Sequence, residues 1–211
     1  MKLYTYFRSS AAYRVRIALN LKGLDYEAVP IHMTKDGGRH RSPEYRAINP
    51  HMRVPALVLD NSATLTQSLA IIDYLDETYP DPPLLPTDPI RRAHVRAFAQ
   101  VIACDIHPLN NLVTLQYLRR ELDHDQLAID NWYHHWIHTG FRSLEETIRP
   151  APYAFGRDVT LADVCLVPQM YNARRLKVPL DKYPQLVAVE TALLKLSEFD
   201  AARPENQPDA E

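Results

Sequence analysis

Three consecutive side chains, Arg8, Ser9 and Ser10, stand where a short apolar strand gives way to an amphipathic helix. The first amides of a helix have no partner inside it, so such a corner can hold a hydroxyl, a carboxylate or a thiolate through backbone dipoles. The same hydroxyls serve equally well as N-caps, and alone they do not decide between the two roles. A second corner of this kind, Gln67-Ser68, opens another helix. Between the two in sequence lies Val54-Pro55, at the head of a strand, where proline withholds an amide and keeps Val54 extended. Two anion corners with a strand edge between them form a more specific constellation than any one of the three.

The chain offers no nucleophile of its own to go with them. Cys104 and Cys165 are far apart in sequence and each is flanked by apolar residues, so they read as buried reduced thiols. Thiol chemistry here would draw its sulfur from a bound cofactor. His134 and His138 share a helix face, but no third ligand stands nearby; they read as a solvated face, and no metal is expected. Thr160-Leu161-Ala162-Asp163 has the form of a helix capping box and is read as structural, not as a catalytic acid. By residue type alone, His107-Pro108 is a helix kink and Arg174-Arg175 a pair of cations complementing a helix end. No P-loop, nucleotide fingerprint or nucleophile elbow is found.

The elements that must position these residues fall into two sets. Residues 3–7 read as a strand, 13–22 as a helix closed by Gly23, and 26–31 as a second strand. Residues 35–41, with Gly37-Gly38 and no apolar anchor, read as a mobile loop of the kind that covers a site. Strands at 56–59 and 64–65 form a hairpin, and a helix runs from Gln67-Ser68 to about residue 79. This order makes an α/β domain over residues 1–80. Pro80, Pro82, Pro83, Pro86 and Pro89 allow no helix through them, so 81–89 is expected to be a linker. Helices at 90–119, 126–148, 161–176 and 184–199 then make an all-α domain over 90–211. Residues 203–211, without a large apolar side chain, read as an extension lying on the surface or loose.

A formal net charge of -2 on 211 residues gives no overall attraction to nucleic acid or an anionic membrane, so an anionic ligand must be held by local arginines. No leader or membrane-spanning run is evident, and a cytoplasmic location is expected.

The runs Ser9 through Leu19, Asn49-Pro50, Val54-Pro55, Gln67 through Ile72, Thr160 through Gln169 and Lys177 through Pro184 together resemble the zeta-class glutathione transferases over nearly the whole chain. The likeness is closest to the maleylacetoacetate and maleylpyruvate isomerases. It implies a thioredoxin-like α/β N-terminal domain, an all-α C-terminal domain carrying part of the substrate site, a homodimer, and glutathione as cofactor. It further implies glutathione-dependent cis-trans isomerisation of maleylacetoacetate to fumarylacetoacetate, a step of tyrosine and phenylalanine breakdown. Maleylpyruvate isomerisation and conjugation or dehalogenation of small haloacids are the enzymatic alternatives, and a non-catalytic binding module is a third. The family motif has Cys where this chain has Ala11, which fits a mechanism whose sulfur belongs to glutathione.

Carried over by position, the resemblance makes Ser9 the hydrogen-bond partner of the glutathione sulfur, with Ser10 beside it. Ala11, Arg14 and His40 join the glutathione set. Val54 is expected to pair its backbone with the cysteinyl part, with Pro55 cis. Gln67 and Ser68 would hold the γ-glutamyl carboxylate, while His107 and Asn111 contact ligand from the helical domain. Arg175 is the substrate-carboxylate arginine, with Arg8 and Arg174 grouped alongside it; Ser9, Ser10 and Arg175 are the catalytic set.

Overall fold

The computed structural model describes residues 1–211 apart from the side chain of Asp36. The chain divides into two compact units, Met1–Pro83 together with Lys195–Glu211, and Leu84–Leu194.

In the first unit, β1 (Lys2–Thr5), β2 (Glu27–Pro30), β3 (Ala56–Val58) and β4 (Thr64–Thr66) form one sheet in the order β2-β1-β3-β4. β1 runs parallel to β2 and antiparallel to β3, and β3 pairs antiparallel with β4. The crossover between the parallel strands is α1 (Ser10–Leu21), and α3 (Ser68–Thr78) follows β4 and packs against α1. This is the thioredoxin-like arrangement. α1 buries Val15, Ile17, Ala18 and Leu19 completely. It ends where Gly23 takes φ 64 and donates to the Asn20 carbonyl, a conformation that glycine adopts without steric cost.

Two features of this unit were not expected. α2 (Pro43–Ile48) is a short helix whose start signature is nevertheless present: the Ser42 hydroxyl accepts the Tyr45 amide, with Pro43 and Glu44 in the first turn. More consequential is the C-terminal segment, which belongs to this unit and is neither loose nor part of the helical one. α10 (Ser197–Ala201) packs on α1, and Phe199, Ala202, Pro204 and Gln207 are buried. Polar bonds hold it, which is why an apolar-pattern reading missed it. The Arg16 guanidinium, wholly buried, donates to the Ala202 carbonyl (3.0 Å), the Thr5 hydroxyl (3.1 Å) and the Phe7 carbonyl (3.0 Å). Gln207 Nε2 donates to the carbonyls of Ala201 and Arg203, and Asn206 Nδ2 to that of Asp200.

In the second unit, α4 (Pro89–Gln100) starts on an Asp88 cap and runs into a π-helical turn, Val101–Ile106. α5 (His107–Asn110) and α6 (Leu112–Arg120) follow. The sequence pattern had suggested one helix over 90–119; Pro108 and the extended Asn111 (φ -77, ψ 164) interrupt it. Cys104 faces outward from the π turn, so only Cys165 fits the buried-thiol expectation. α4 and α9 (Pro184–Leu193) pack against α8 (Leu161–Arg175), which is buried without interruption from Leu161 to Met170, and α7 (Gln126–Thr147) packs on α9. α9 stops at Leu193 rather than near 199.

The capping box at the start of α8 is structural. The Asp163 carboxylate accepts the amides of Ala154 and Thr160 and the Thr160 hydroxyl, each at 2.8 Å, while burial pushes its pKa up to about 6.

Arg16→Met removes the donors from the Thr5 hydroxyl and from the carbonyls of Phe7 and Ala202. Urea unfolding is expected to show a loss of about 3 kcal/mol or more, at roughly 1–3 kcal/mol for each buried acceptor left without a donor. Hydrogen exchange is expected to rise first in residues 197–207.

Candidate active site

At the end of β1 the chain turns tightly, with the Ser9 amide donating to the Tyr6 carbonyl (2.9 Å), and enters α1. Ser9 is the N-cap: its hydroxyl oxygen accepts the Ala12 amide at 3.2 Å. A hydroxyl has one proton and two lone pairs, so a capping Ser9 still holds a donor for a second partner. The capping and ligand roles, opposed in the sequence, are thus compatible in the structure. Ser10 is buried and Ala11 half-buried at the head of the helix. No acidic residue lies in the first turn of α1 or of α3, leaving the positive end of each helix without a carboxylate of its own.

The two corners are physically joined. Arg14, buried on α1, reaches the Ser68 hydroxyl (3.3 Å) at the start of α3 and so brings a guanidinium to the second corner. Gln67 precedes it at φ 67, ψ 117, an unusual conformation for a residue other than glycine, and is exposed. Strain of this kind concentrates where a backbone has to be presented in one particular way. A buried carboxylate-free start, a hydroxyl and a guanidinium suit a carboxylate ligand.

The Val54–Pro55 bond is cis, and Val54 is buried beside Tyr6, Phe7 and Tyr45. What sets this edge was not singled out in the sequence. Asn49 Nδ2 (2.7 Å) and the Tyr45 hydroxyl (2.6 Å) both donate to the Arg53 carbonyl, while Asn49 Oδ1 accepts the His51 amide (3.0 Å). The Asn49-Pro50 pair was the available signal, since a buried asparagine ahead of a proline builds turns through its own side chain.

The segment 35–41, expected to be mobile, is anchored. It forms two short 3-10 turns, Lys35–Gly37 and Arg39–Arg41, and buries His40. The Arg39 amide donates to the His32 carbonyl at 2.8 Å. Gly38, at φ 94, passes so close to the imidazole that an added Cβ would lie 2.4 Å from it. Burial, and then the Arg41 charge, hold the His40 pKa below its ordinary 6.5.

Arg8 is exposed and folds back on its own strand end, donating to the Tyr6 hydroxyl (2.8 Å) and lying over the Phe7 ring at 5.1 Å.

Within the helical unit the two neighbouring arginines separate. Arg174, itself exposed, forms a two-pronged ion pair with the buried Glu190 (2.5 and 2.9 Å). Arg175 is exposed, makes no ion pair among the described residues, and faces Tyr133, whose pKa burial pushes up to about 12 while Arg175 pulls the other way. Asn111, grouped with the ligand contacts, is the N-cap of α6: Oδ1 accepts the Thr114 amide and Nδ2 donates to the Pro108 carbonyl. His107 is half-buried on α5, which the Trp132 indole fastens through the Leu109 carbonyl (2.8 Å). His134 and His138 are not a solvated face; His134 Nε2 lies 3.0 Å from the Leu176 carbonyl and His138 Nδ1 lies 2.7 Å from the Tyr183 hydroxyl. Among the described residues no group of His, Cys, Asp and Glu is placed to hold a metal, and no helix is long and apolar enough to cross a membrane.

A thioredoxin-like sheet with a hydroxyl-capped α1, followed by a helical unit, defines the glutathione transferase class, and residues 3–83 match the family model for the glutathione S-transferase N-terminal domain. The chain is 49% identical over 209 residues to maleylacetoacetate isomerase of Pseudomonas aeruginosa, covering 99% of this chain and 98% of that protein. It superposes on a holo maleyl pyruvate isomerase, a bacterial zeta-class glutathione S-transferase, with TM-score 0.95, 45% identity and full coverage of both chains. Maleylacetoacetate isomerase of Methylobacterium extorquens AM1, solved with malonate and glutathione bound, gives TM-score 0.94 at 37% identity, again over the whole of both chains. The chain therefore belongs to the zeta-class glutathione transferases, in the group of the maleylacetoacetate isomerases.

Two predictions follow from the geometry of the first unit. Asn49→Ala is expected to lower stability by about 2 kcal/mol, at roughly 1 kcal/mol for each of its two bonds, and to weaken glutathione binding measured by calorimetry. Because His40 has a depressed pKa when folded, it favours the folded state fully above pH 6.5 and progressively less as the pH falls below that value. His138 is shifted in the same direction. The test is therefore a comparison of denaturation between pH 7.5 and 5.5 with and without His40→Gln, in which the variant shows the shallower loss toward acid.

Proposed function

We propose that this enzyme is a glutathione-dependent cis-trans isomerase converting maleylacetoacetate to fumarylacetoacetate. The observation that carries the reading is the start of α1, where the Ser9 hydroxyl keeps a donor free of its capping bond at a helix end without a first-turn acid. A free thiol is largely protonated at neutral pH, and a hydroxyl donor together with a helix start favours its thiolate. Glutathione, when bound, supplies that sulfur as a nucleophile for the conjugated cis double bond, allowing rotation before the sulfur leaves.

The chain's own residues hold and orient. Ser9 donates to the sulfur, with Ser10 and Ala11 shaping the turn beside it. Gln67 and Ser68, backed by the Arg14 guanidinium, take the γ-glutamyl carboxylate. Val54 presents its backbone from the edge set by Asn49 and Tyr45, and His40 closes the set from its anchored loop. For the substrate's carboxylates we assign Arg175, with Arg8 as the other available cation and His107 as a polar contact; donors of this kind also stabilise charge that develops on an enolate oxygen. Arg174 is already committed to Glu190, and Asn111 acts through the fold of α5 and α6. A cytoplasmic homodimer is the working form that the resemblance supports.

Maleylpyruvate isomerisation is the second reading, favoured by the comparably close solved relative of that name, and its substrate differs mainly in chain length. Side-by-side turnover of both substrates with glutathione separates the two, and inactivity on both would overturn the isomerase reading. Ser9→Ala is expected to lower kcat by about 10²-fold, the effect of removing one preorganised donor, and to abolish the thiolate absorbance of bound glutathione at neutral pH.

A further inference from the structure

We propose that Asp209 is a positioning residue for the Ser9 corner, acting as the end of a strap formed by the C-terminal segment. The proposal deepens the functional reading above and rests on it. The peptide units on either side of Phe7 are gripped from two directions. Asp209 Oδ2 accepts the Phe7 amide at 3.0 Å, and the Arg16 guanidinium, itself bonded to the Ala202 carbonyl, donates to the Phe7 carbonyl at 3.0 Å. Two residues later comes Ser9, tied back to Tyr6 by a single turn. A shift of the Phe7 backbone therefore passes directly into the position of the Ser9 hydroxyl.

The strap continues past this grip. Glu211 pairs with Lys35 and, at 3.1 Å, with His32, and the His32 ring stacks edge-on to Tyr6 at a centroid distance of 5.0 Å. The segment that carries His40 is thereby bound to the same strand end. Charge-assisted bonds of this kind are stronger than neutral ones, yet exposed pairs such as Lys35–Glu211 contribute little to global stability. Their placement is what distinguishes them: Asp209 meets the backbone just before Ser9, and Glu211 meets the loop leading to His40. The strap's own shape is fixed by the buried Gln207 and by the Asn206 bond to Asp200, so Asp209 is held by structure rather than by chance.

The experiment compares Asp209→Ala, Asp209→Asn and Glu211→Gln with the parent chain. Asparagine keeps an acceptor oxygen for the Phe7 amide and alanine does not. Without glutathione, hydrogen exchange at Phe7 and at residues 9–12 is expected to quicken in Asp209→Ala and to return toward the parent in Asp209→Asn. With glutathione, Asp209→Ala is expected to weaken binding about fivefold, the equivalent of one hydrogen bond, and to raise the pKa of the bound thiol read by its ultraviolet absorbance. Glu211→Gln is expected to quicken exchange only in residues 32–41. A lowered melting temperature with unchanged affinity and unchanged thiol pKa in Asp209→Ala would reduce the contact to a structural one and overturn the proposal. If the parent chain binds no glutathione, the functional reading falls separately, and unchanged exchange at residues 9–12 would overturn the strap.

Discussion

A single buried cation holds the architecture of the first unit. Taking a guanidinium out of water costs several kcal/mol unless its donors are satisfied, and Arg16 meets that condition with oxygens from Thr5, Phe7 and Ala202 while its charge lies over the Tyr13 ring at 5.2 Å. These acceptors belong to segments that need a fixed position: the end of the strand that delivers Ser9, and the polypeptide leaving α10. Arg14 stands two residues earlier, on a different face of the same helix, and serves the start of α3. α1 thus carries one arginine for each of the two corners, and both are buried.

The parts of the site legible in the sequence are those whose chemistry is local. A hydroxyl at a strand-to-helix junction, a glutamine and serine at a second one, and a Val-Pro step announce themselves within two or three residues, because capping and extended geometry are short-range effects. The strand and helix order of the first unit was equally readable from apolar spacing. The return of the C-terminal segment to that unit was not, since its attachment runs through side-chain amides, carboxylates and backbone carbonyls that leave no periodic trace. The same reason hid the role of Asn49, which is readable in the sequence only as part of a family run and which lies in two side-chain bonds around one turn. The break at Asn111 escaped a reading based on helical spacing because Pro108 and a π turn shift the register without ending the apolar pattern.

The helical unit shows how neighbouring residues of one type divide their work. Arg174 and Arg175 are indistinguishable as sequence, each at the end of α8. Both are exposed, and pairing tells them apart: Glu190 is almost fully enclosed and takes its counter-charge from Arg174, while Arg175 makes no ion pair among the described residues. Asn111 likewise spends both ends of its amide on the junction between α5 and α6.

The bond between Arg16 and Ala202 spans 186 positions of the chain. On a ribosome adding about 5–20 residues per second, the α1 guanidinium emerges roughly 10–40 s before its last acceptor has been made. Throughout that interval Arg16 Nε lacks its Ala202 partner, while Thr5 and Phe7 already stand within reach of the other donors. Docking of residues 197–207 therefore completes the grip on the end of β1 only after the whole of Leu84–Leu194 has been made.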